Sequence, residues 1–231
     1  MKTKTRFAWK QFLKNLAIIA IPVALQNMLT TTGSMIDTMM IAPLGETTVG
    51  AVGLCAQFSS LMFAGYWGFF GGGMLFFSQY WGAQDDDGID HSYGLTLSCM
   101  MIVGLTFGAF AIFAPETVMK LYTDKESIQV IGAEYLRIIG FGYPVQVFSM
   151  AMSALLRSTE RVRIPLFASI ASVASNIFLN WVFIYGKFGL PEMGVRGAAL
   201  ATSLAAVINV LVILILARAQ KYPYPVSYTH L

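Results

Sequence analysis

Charge is scarce in this chain. Only 12% of its 231 residues are Asp, Glu, Lys or Arg, against about 25% in an ordinary soluble domain. Hydrophobic residues make up 56% and the mean hydropathy is +0.65. A water-soluble fold of this size has too little interior to hide that much apolar surface, so the composition alone excludes one and selects the membrane class. Histidine and cysteine are also nearly absent, at two each. His91 and His230 sit in polar segments without ligand-spaced partners, and Cys55 and Cys99 fall in apolar runs, where a thiol is a packing group rather than half of a disulfide. No cluster of His, Cys, Asp and Glu marks a resident metal or an enzyme centre. The expectation is a non-enzyme without a cofactor.

What the chain does have is long apolar runs. A spanning helix needs about 20 mostly apolar residues, and six stretches qualify: about Leu16 to Ala42, Val49 to Trp81, Ser92 to Phe113, Ile128 to Leu156, Ile164 to Tyr185 and Val195 to Ala217. Breakers separate them: Pro43-Leu-Gly45, Asp85-Asp-Asp-Gly88, Pro115 with the polar run 123–126, Arg157 to Pro165, and the loop Gly186 to Gly194 with Pro191. This reads as an all-α integral membrane protein, a bundle of six transmembrane helices. It comprises an N-terminal segment over 1–15, a six-helix lobe over 16–217 and a tail over 218–231. The first apolar run is too long for a cleaved signal peptide and is followed by five more spans.

Lys and Arg set the expected orientation. With the N-terminus inside, the cytoplasmic side receives Lys2, Lys4, Arg6, Lys10, Lys14, Arg157, Arg161, Arg163, Arg218 and Lys221. The outer side receives Lys120, Lys125, Lys187 and Arg196. This bias predicts both termini in the cytoplasm of a multi-pass protein.

Polar residues inside the spans carry the functional reading. Asp37 lies within the first span, where a carboxylate costs roughly 2.5–3.5 kcal/mol if it sits at the centre. Pro22, Gln26, Thr30, Gly33 and Asp37 fall on one helical stripe, which points Asp37 at a bundle interior as an ion or proton site. An Asp at the helix end, close to water, is the alternative. Ser169, Ser172, Asn176 and Asn180 share a face of the fifth span. Asn176 and Asn180 could ligate a cation or bond to Asp37 across the bundle, or the face could serve only as interhelical glue. Thr202 and Asn209 give the sixth span a weaker polar face, and Gln57 and Ser60 are candidates to line a cavity from the second. Gly68 and Gly72 form a G-x-x-x-G that suggests close helix packing, Pro144 predicts a kink, and Glu134 with Arg137, three apart, suggests a local ion pair. The aromatics Trp67, Trp81 and Trp181 suit either interface anchors or core.

Taken in order, several short motifs resemble the MATE (multidrug and toxic compound extrusion) family. They are Pro22, Asp37 and Leu44-Gly45; Phe77-Ser-Gln-Tyr-Trp-Gly-Ala83; Tyr135-Leu-Arg-Ile138 with Pro144 and Ala154-Leu-Leu-Arg157; then Asn176-Ile-Phe-Leu-Asn180, Phe183-Ile-Tyr-Gly186, Met193-Gly-Val195 and Gly197-Ala-Ala-Leu-Ala-Thr202. The resemblance implies one lobe, the N-terminal half, of a twelve-helix transporter whose two lobes form a parallel repeat around a central cavity. It implies an H⁺- or Na⁺-coupled antiporter exporting organic cations and other amphipathic compounds across a bacterial inner membrane. Asp37, Asn176 and Thr202 then match a cation site of one family branch. Asn180 departs from that branch, which carries a second Asp there, so the site has one carboxylate where the branch has two. Asn180 and the loop Gly186 to Gly194 resemble the other bacterial branch, whose important carboxylates include some in the second lobe. Expected partners are the bilayer, a small amphipathic substrate and a C-terminal lobe, not nucleic acid. A tail foreign to the family from about Val226 suggests an incomplete or non-native end, with a homodimer of halves as the disfavoured alternative. The rival readings are a lipid-linked glycan flippase, which would need several lumenal Arg or Lys, a membrane-embedded enzyme, and a structural membrane protein without transport.

Overall fold

A computed structural model describes residues 9–220. Seven helices follow one another: α1 (Trp9–Ile41), α2 (Glu46–Ala83), α3 (Asp86–Phe113), the short α4 (Pro115–Tyr122), α5 (Glu126–Ser158), α6 (Arg163–Ile184) and α7 (Val195–Ala219), with one 3₁₀ turn (Ala42–Leu44) after α1. All but α4 are long and apolar enough to cross a membrane. The six expected spans are therefore present. Lys2, Lys4, Arg6, Lys221, His230 and the tail from Val226 lie outside the described residues.

Helix ends extend beyond the apolar runs where a charge can be hydrated or can favour the helix terminus. α3 starts at Asp86 rather than near Ser92, because Asp85 caps it by accepting from the Gly88 amide at 2.9 Å and Asp86 and Asp87 occupy the positive first turn. α1 starts at Trp9, well before Leu16. The expected Pro115 break instead opens a helix: proline at the first position has no amide to waste, and α4 buries Pro115, Val118 and Met119 while leaving Leu121 exposed. At roughly 50 Å, α5 exceeds a hydrocarbon core of about 30 Å and continues through Pro144.

α5 is the hub. It packs against α2, α3, α4 and α7, and α6 pairs with α7 on one side and α1 on the other. Its buried residues include Leu136, Tyr143, Val147, Met152, Leu155 and Leu156. Small residues set the spacing, since lipid offers no hydrophobic drive between helices and close packing must hold them. A β-carbon at Gly197 would lie 2.7 Å from the backbone carbon of Phe183, so α7 touches the α6 backbone directly. A β-carbon at Gly108 would stand 3.0 Å from the Gly140 carbonyl oxygen, the carbonyl that Pro144 leaves without an intrahelical donor.

The G-x-x-x-G expectation fails here. A β-carbon at Gly68 or Gly72 would meet nothing within 4 Å, whereas one at Gly73 would strike the Thr96 side chain at 2.5 Å. The packing glycines of α2 are thus Gly73 and Gly65, where a β-carbon would lie 3.3 Å from Val103, because the α3-facing stripe and the motif lie on different sides of the helix. The Glu134–Arg137 pair is also corrected. Glu134 binds Arg196 of α7 with two hydrogen bonds of 3.1 and 2.8 Å, and Arg137 pairs with Glu116 of α4. Both pairs clamp neighbouring helices together at one end of the bundle instead of bracing one turn of α5.

Candidate functional site

α1 lies at the edge of the lobe, with only 6% of its most apolar window buried. Its polar stripe is what attaches it to α6. Gln26 Nε2 donates to Ser169 Oγ at 2.9 Å, Gly33 approaches Val173 closely enough that a β-carbon there would lie 3.1 Å from it, and Tyr185 Oη donates to the Met40 carbonyl at 2.8 Å. Between the last two contacts, Asn180 Nδ2 donates to Asp37 Oδ1 at 2.5 Å.

The four residues singled out as a cation site form one chain of contacts. Asn180 Nδ2 also donates to Asn176 Oδ1 at 3.2 Å, Asn176 Nδ2 donates to Thr202 Oγ1 at 3.4 Å, and Thr202 Oγ1 donates back to the Ala198 carbonyl at 3.0 Å. Asn180 is fully buried, and its Oδ1 has no hydrogen-bond partner. The oxygens gathered here are one carboxylate, two amide carbonyls and one hydroxyl, a hard set suited to a proton or an alkali cation rather than to a soft metal. Among the described residues no cationic side chain forms an ion pair with Asp37. The buried Tyr135 interacts with Thr202 and lies near Asp37, a contributor that sequence reading passed over because α5 is rich in aromatic core residues.

Asp37, Asn176 and Thr202 open onto a cavity of about 620 Å³ between α1, α2, α5, α6 and α7. Gln26 and Thr30 line it too, with Thr30 Oγ1 bonded to the carbonyls of Gln26 and Asn27. Gln57 does not. It is exposed on the outer side of α2, as is Ser60, whose hydroxyl bonds its own helix at Ala56. α2 instead presents Phe63, Trp67 and Phe70 to the cavity, with Trp67 stacked on Phe70 at 5.3 Å. α5 supplies Gln146, Ser149, Ser153 and Arg157, a stripe at spacings of three, four and four that is legible in the sequence. Ser149 Oγ donates to Asn209 Oδ1 at 2.8 Å. Arg157, placed by sequence in a cytoplasmic joint, belongs to the last turn of α5 and lines the cavity. Cys55 is buried as a packing group against Met119 and the Gly132 carbonyl, Cys99 is partly exposed, and both cysteines are free.

Six helices long and apolar enough to span a membrane, five of them around one cavity, define a multi-pass membrane protein. The MatE family model matches residues 22–182, and the chain belongs to that family. It is 26% identical to the "Probable multidrug resistance protein YoeA" of Bacillus subtilis over 91% of this chain and 46% of that protein. It is likewise 26% identical to the "Probable multidrug resistance protein NorM" of Neisseria meningitidis serogroup A over 85% of this chain and 44% of that one. Among solved structures, an outward-facing multidrug resistance MATE family transporter of the MOP superfamily superposes with a TM-score of 0.80 at 25% identity. That match covers 91% of this chain and 46% of the other. A MATE crystal structure in complex with MaL6 gives 0.81 over the same shares. The chain thus spans about half the length of the relatives it matches, as one lobe of their fold.

Proposed function

We propose that this chain forms one lobe of a cation-coupled antiporter that exports amphipathic or cationic small molecules, with Asp37 carrying the coupling ion. The observation that bears the reading is a carboxylate inside an apolar helix, facing the bundle, held by the amide of Asn180, and standing on the wall of the cavity. Intramembrane carboxylates in such surroundings mark ion pathways.

The coupling ion is H⁺ or Na⁺. Loading Asp37 neutralises it and changes what α1 gains by resting on Asn180 of α6. Substrate and ion then favour different arrangements of α1, and each lowers the affinity for the other by the same factor. No further cofactor takes part, and the lobe does no covalent chemistry. The second lobe supplies the opposite wall. In this reading the protein sits in a bacterial inner membrane with the start of α1 and the end of α7 on the cytoplasmic side, which the positive charges support: Lys10, Lys14, Arg157, Arg161, Arg163 and Arg218 gather at that end, against Lys120, Lys125, Lys187 and Arg196 at the other.

The test is efflux of a cationic dye by the full-length protein carrying Asp37→Asn, which keeps shape and hydrogen bonding but not charge. Efflux should fall to background with the protein still in the membrane. Wild-type efflux from that variant sinks the reading.

A further inference from the structure

The back of the lobe carries a second concavity, a furrow of about 350 Å³, within the roughly 300–1,000 Å³ of ordinary ligand sites. α3 and α7 each pack on α5, and the furrow runs between them. Pro144, Val145 and Phe148 form its floor on α5. Met101 of α3 stands on one side, and Val207, Val210 and Leu211 of α7 on the other. On α5 and α7 these residues lie roughly 140–150° round the helix from those that face the polar cavity. The two helices are therefore a partition, with the cavity in front and the furrow behind. The hydrogen bond from Ser149 to Asn209 ties the partition together at this depth.

Depth and lining say what occupies the furrow. Every lining side chain is apolar, so it offers nothing to a charged or hydrogen-bonding group. Met101, Pro144 and Val207 lie near the middle of α3, α5 and α7, all long enough to span a bilayer. That places the furrow at the hydrocarbon midplane, out of reach of headgroups. Its stripes run on, four residues away, into the exposed Leu105, Phe141 and Ile215, so it is continuous with the lipid-facing surface. A further helix is a poor fit. It is at least about 10 Å across, and close helix packing in lipid uses small residues, whereas the sides here are Met, Val and Leu. A flexible run of methylenes fits. Pro144 gives that run a role: it deprives the Gly140 carbonyl of its intrahelical donor, and contacts from the furrow support α5 where its own ladder is interrupted.

We propose that this furrow is a seat for the acyl chain of a bilayer phospholipid, a bound lipid that backs the cavity wall at Pro144. The inference does not rest on the export reading. It requires only that α3, α5 and α7 span a membrane.

The full-length protein is placed in nanodiscs of phosphatidylcholine, part of which carries a diazirine at the end of one acyl chain. After photolysis, adducts are mapped by mass spectrometry. Ile102, exposed beside Met101 at the same depth, reports lipid that merely passes. Phe148 and Leu211 should carry about fourfold more adduct than Ile102, the ratio expected if the seated chain buries one more methylene. Val207→Phe fills the furrow from its lipid-facing side and should bring Leu211 down to the level of Ile102. Val145→Phe, which fills it from the floor, should do the same. Unchanged labelling of Ile102 shows that each variant is folded in the disc. Equal adducts at the three positions in wild type overturn the proposal, as does undiminished labelling of Leu211 in both filled variants. So does protection of Phe148 and Leu211 below Ile102, which would mean that a protein helix covers the furrow. Displacement of the label by an exported cationic dye also overturns it, by assigning the furrow to the substrate path.

Discussion

Asn180 is the residue on which the ion site turns. It is fully buried, donates to both Asp37 and Asn176, and keeps an unmatched carbonyl oxygen. Asn180→Leu removes the donor and leaves Asp37 and the Asn176 carbonyl oxygen without their partner. Unmet buried polar groups cost about 1–3 kcal/mol each, so thermal unfolding in detergent should move down by several degrees and efflux should fall with it. Asn180→Asp is the more informative change. A second carboxylate beside Asp37 adds negative charge to a hard-oxygen set, and Na⁺ should then bind more tightly than in wild type, as read by isothermal titration of the two proteins. Unchanged Na⁺ affinity would place the cation elsewhere. These partners were legible in the sequence because spacings of three and four put Asn176 and Asn180 on one face of α6, as they did Gln26, Thr30 and Asp37 on α1. Gln57 shows the opposite case. A polar residue on an apolar helix points somewhere, but periodicity does not say which neighbour waits there, and Gln57 points away from the lobe.

At the scale of helices, the contact between α6 and α7 positions Asn176 against Thr202. One close approach in it is Gly197 on the Phe183 backbone. Gly197→Val forces the two helices apart, and overpacking of this kind costs about 1–3 kcal/mol. The variant should lose both thermal stability and ion coupling. Gly68→Ala is the matched contrast. Its added carbon meets nothing within 4 Å, and removing a helical glycine gains roughly 0.5–1 kcal/mol, so stability in detergent should hold or rise. A fall there would mean that this face of α2 is covered in the protein tested. The two interhelical ion pairs show the same gap between sequence and structure. Glu134 and Arg137 are neighbours on α5, yet each finds its partner on another helix, Arg196 and Glu116. A spacing of three permits a pair, and the approach of α4 and α7 supplied better ones.

For the whole molecule, α6 as a single span puts the joint between α5 and α6 on one side of the bilayer and the loop between α6 and α7 on the other. Single cysteines placed at Arg161 and at Lys187, with Cys55 and Cys99 replaced by alanine, should therefore react with a membrane-impermeant thiol reagent from opposite sides. Lys187→Cys should label in intact cells and Arg161→Cys only after lysis. The reverse pattern would invert the orientation drawn from Lys and Arg.

By itself, the sequence determined the membrane class, the six spans and the polar stripes of α1 and α6, because hydropathy and helical period are local properties of a chain in lipid. It also contained the stripe from Gln146 to Arg157, written in the same period. Only the tertiary structure decided which stripes meet. It joined Asp37 to Asn180 across 143 residues of chain, turned Gln57 outward, set Gly73 rather than Gly68 at a helix contact, and brought Arg157 to the wall of the cavity. Those outcomes depend on how rigid helices rotate and close against one another, and that geometry is settled by packing among distant residues, not by any one helix.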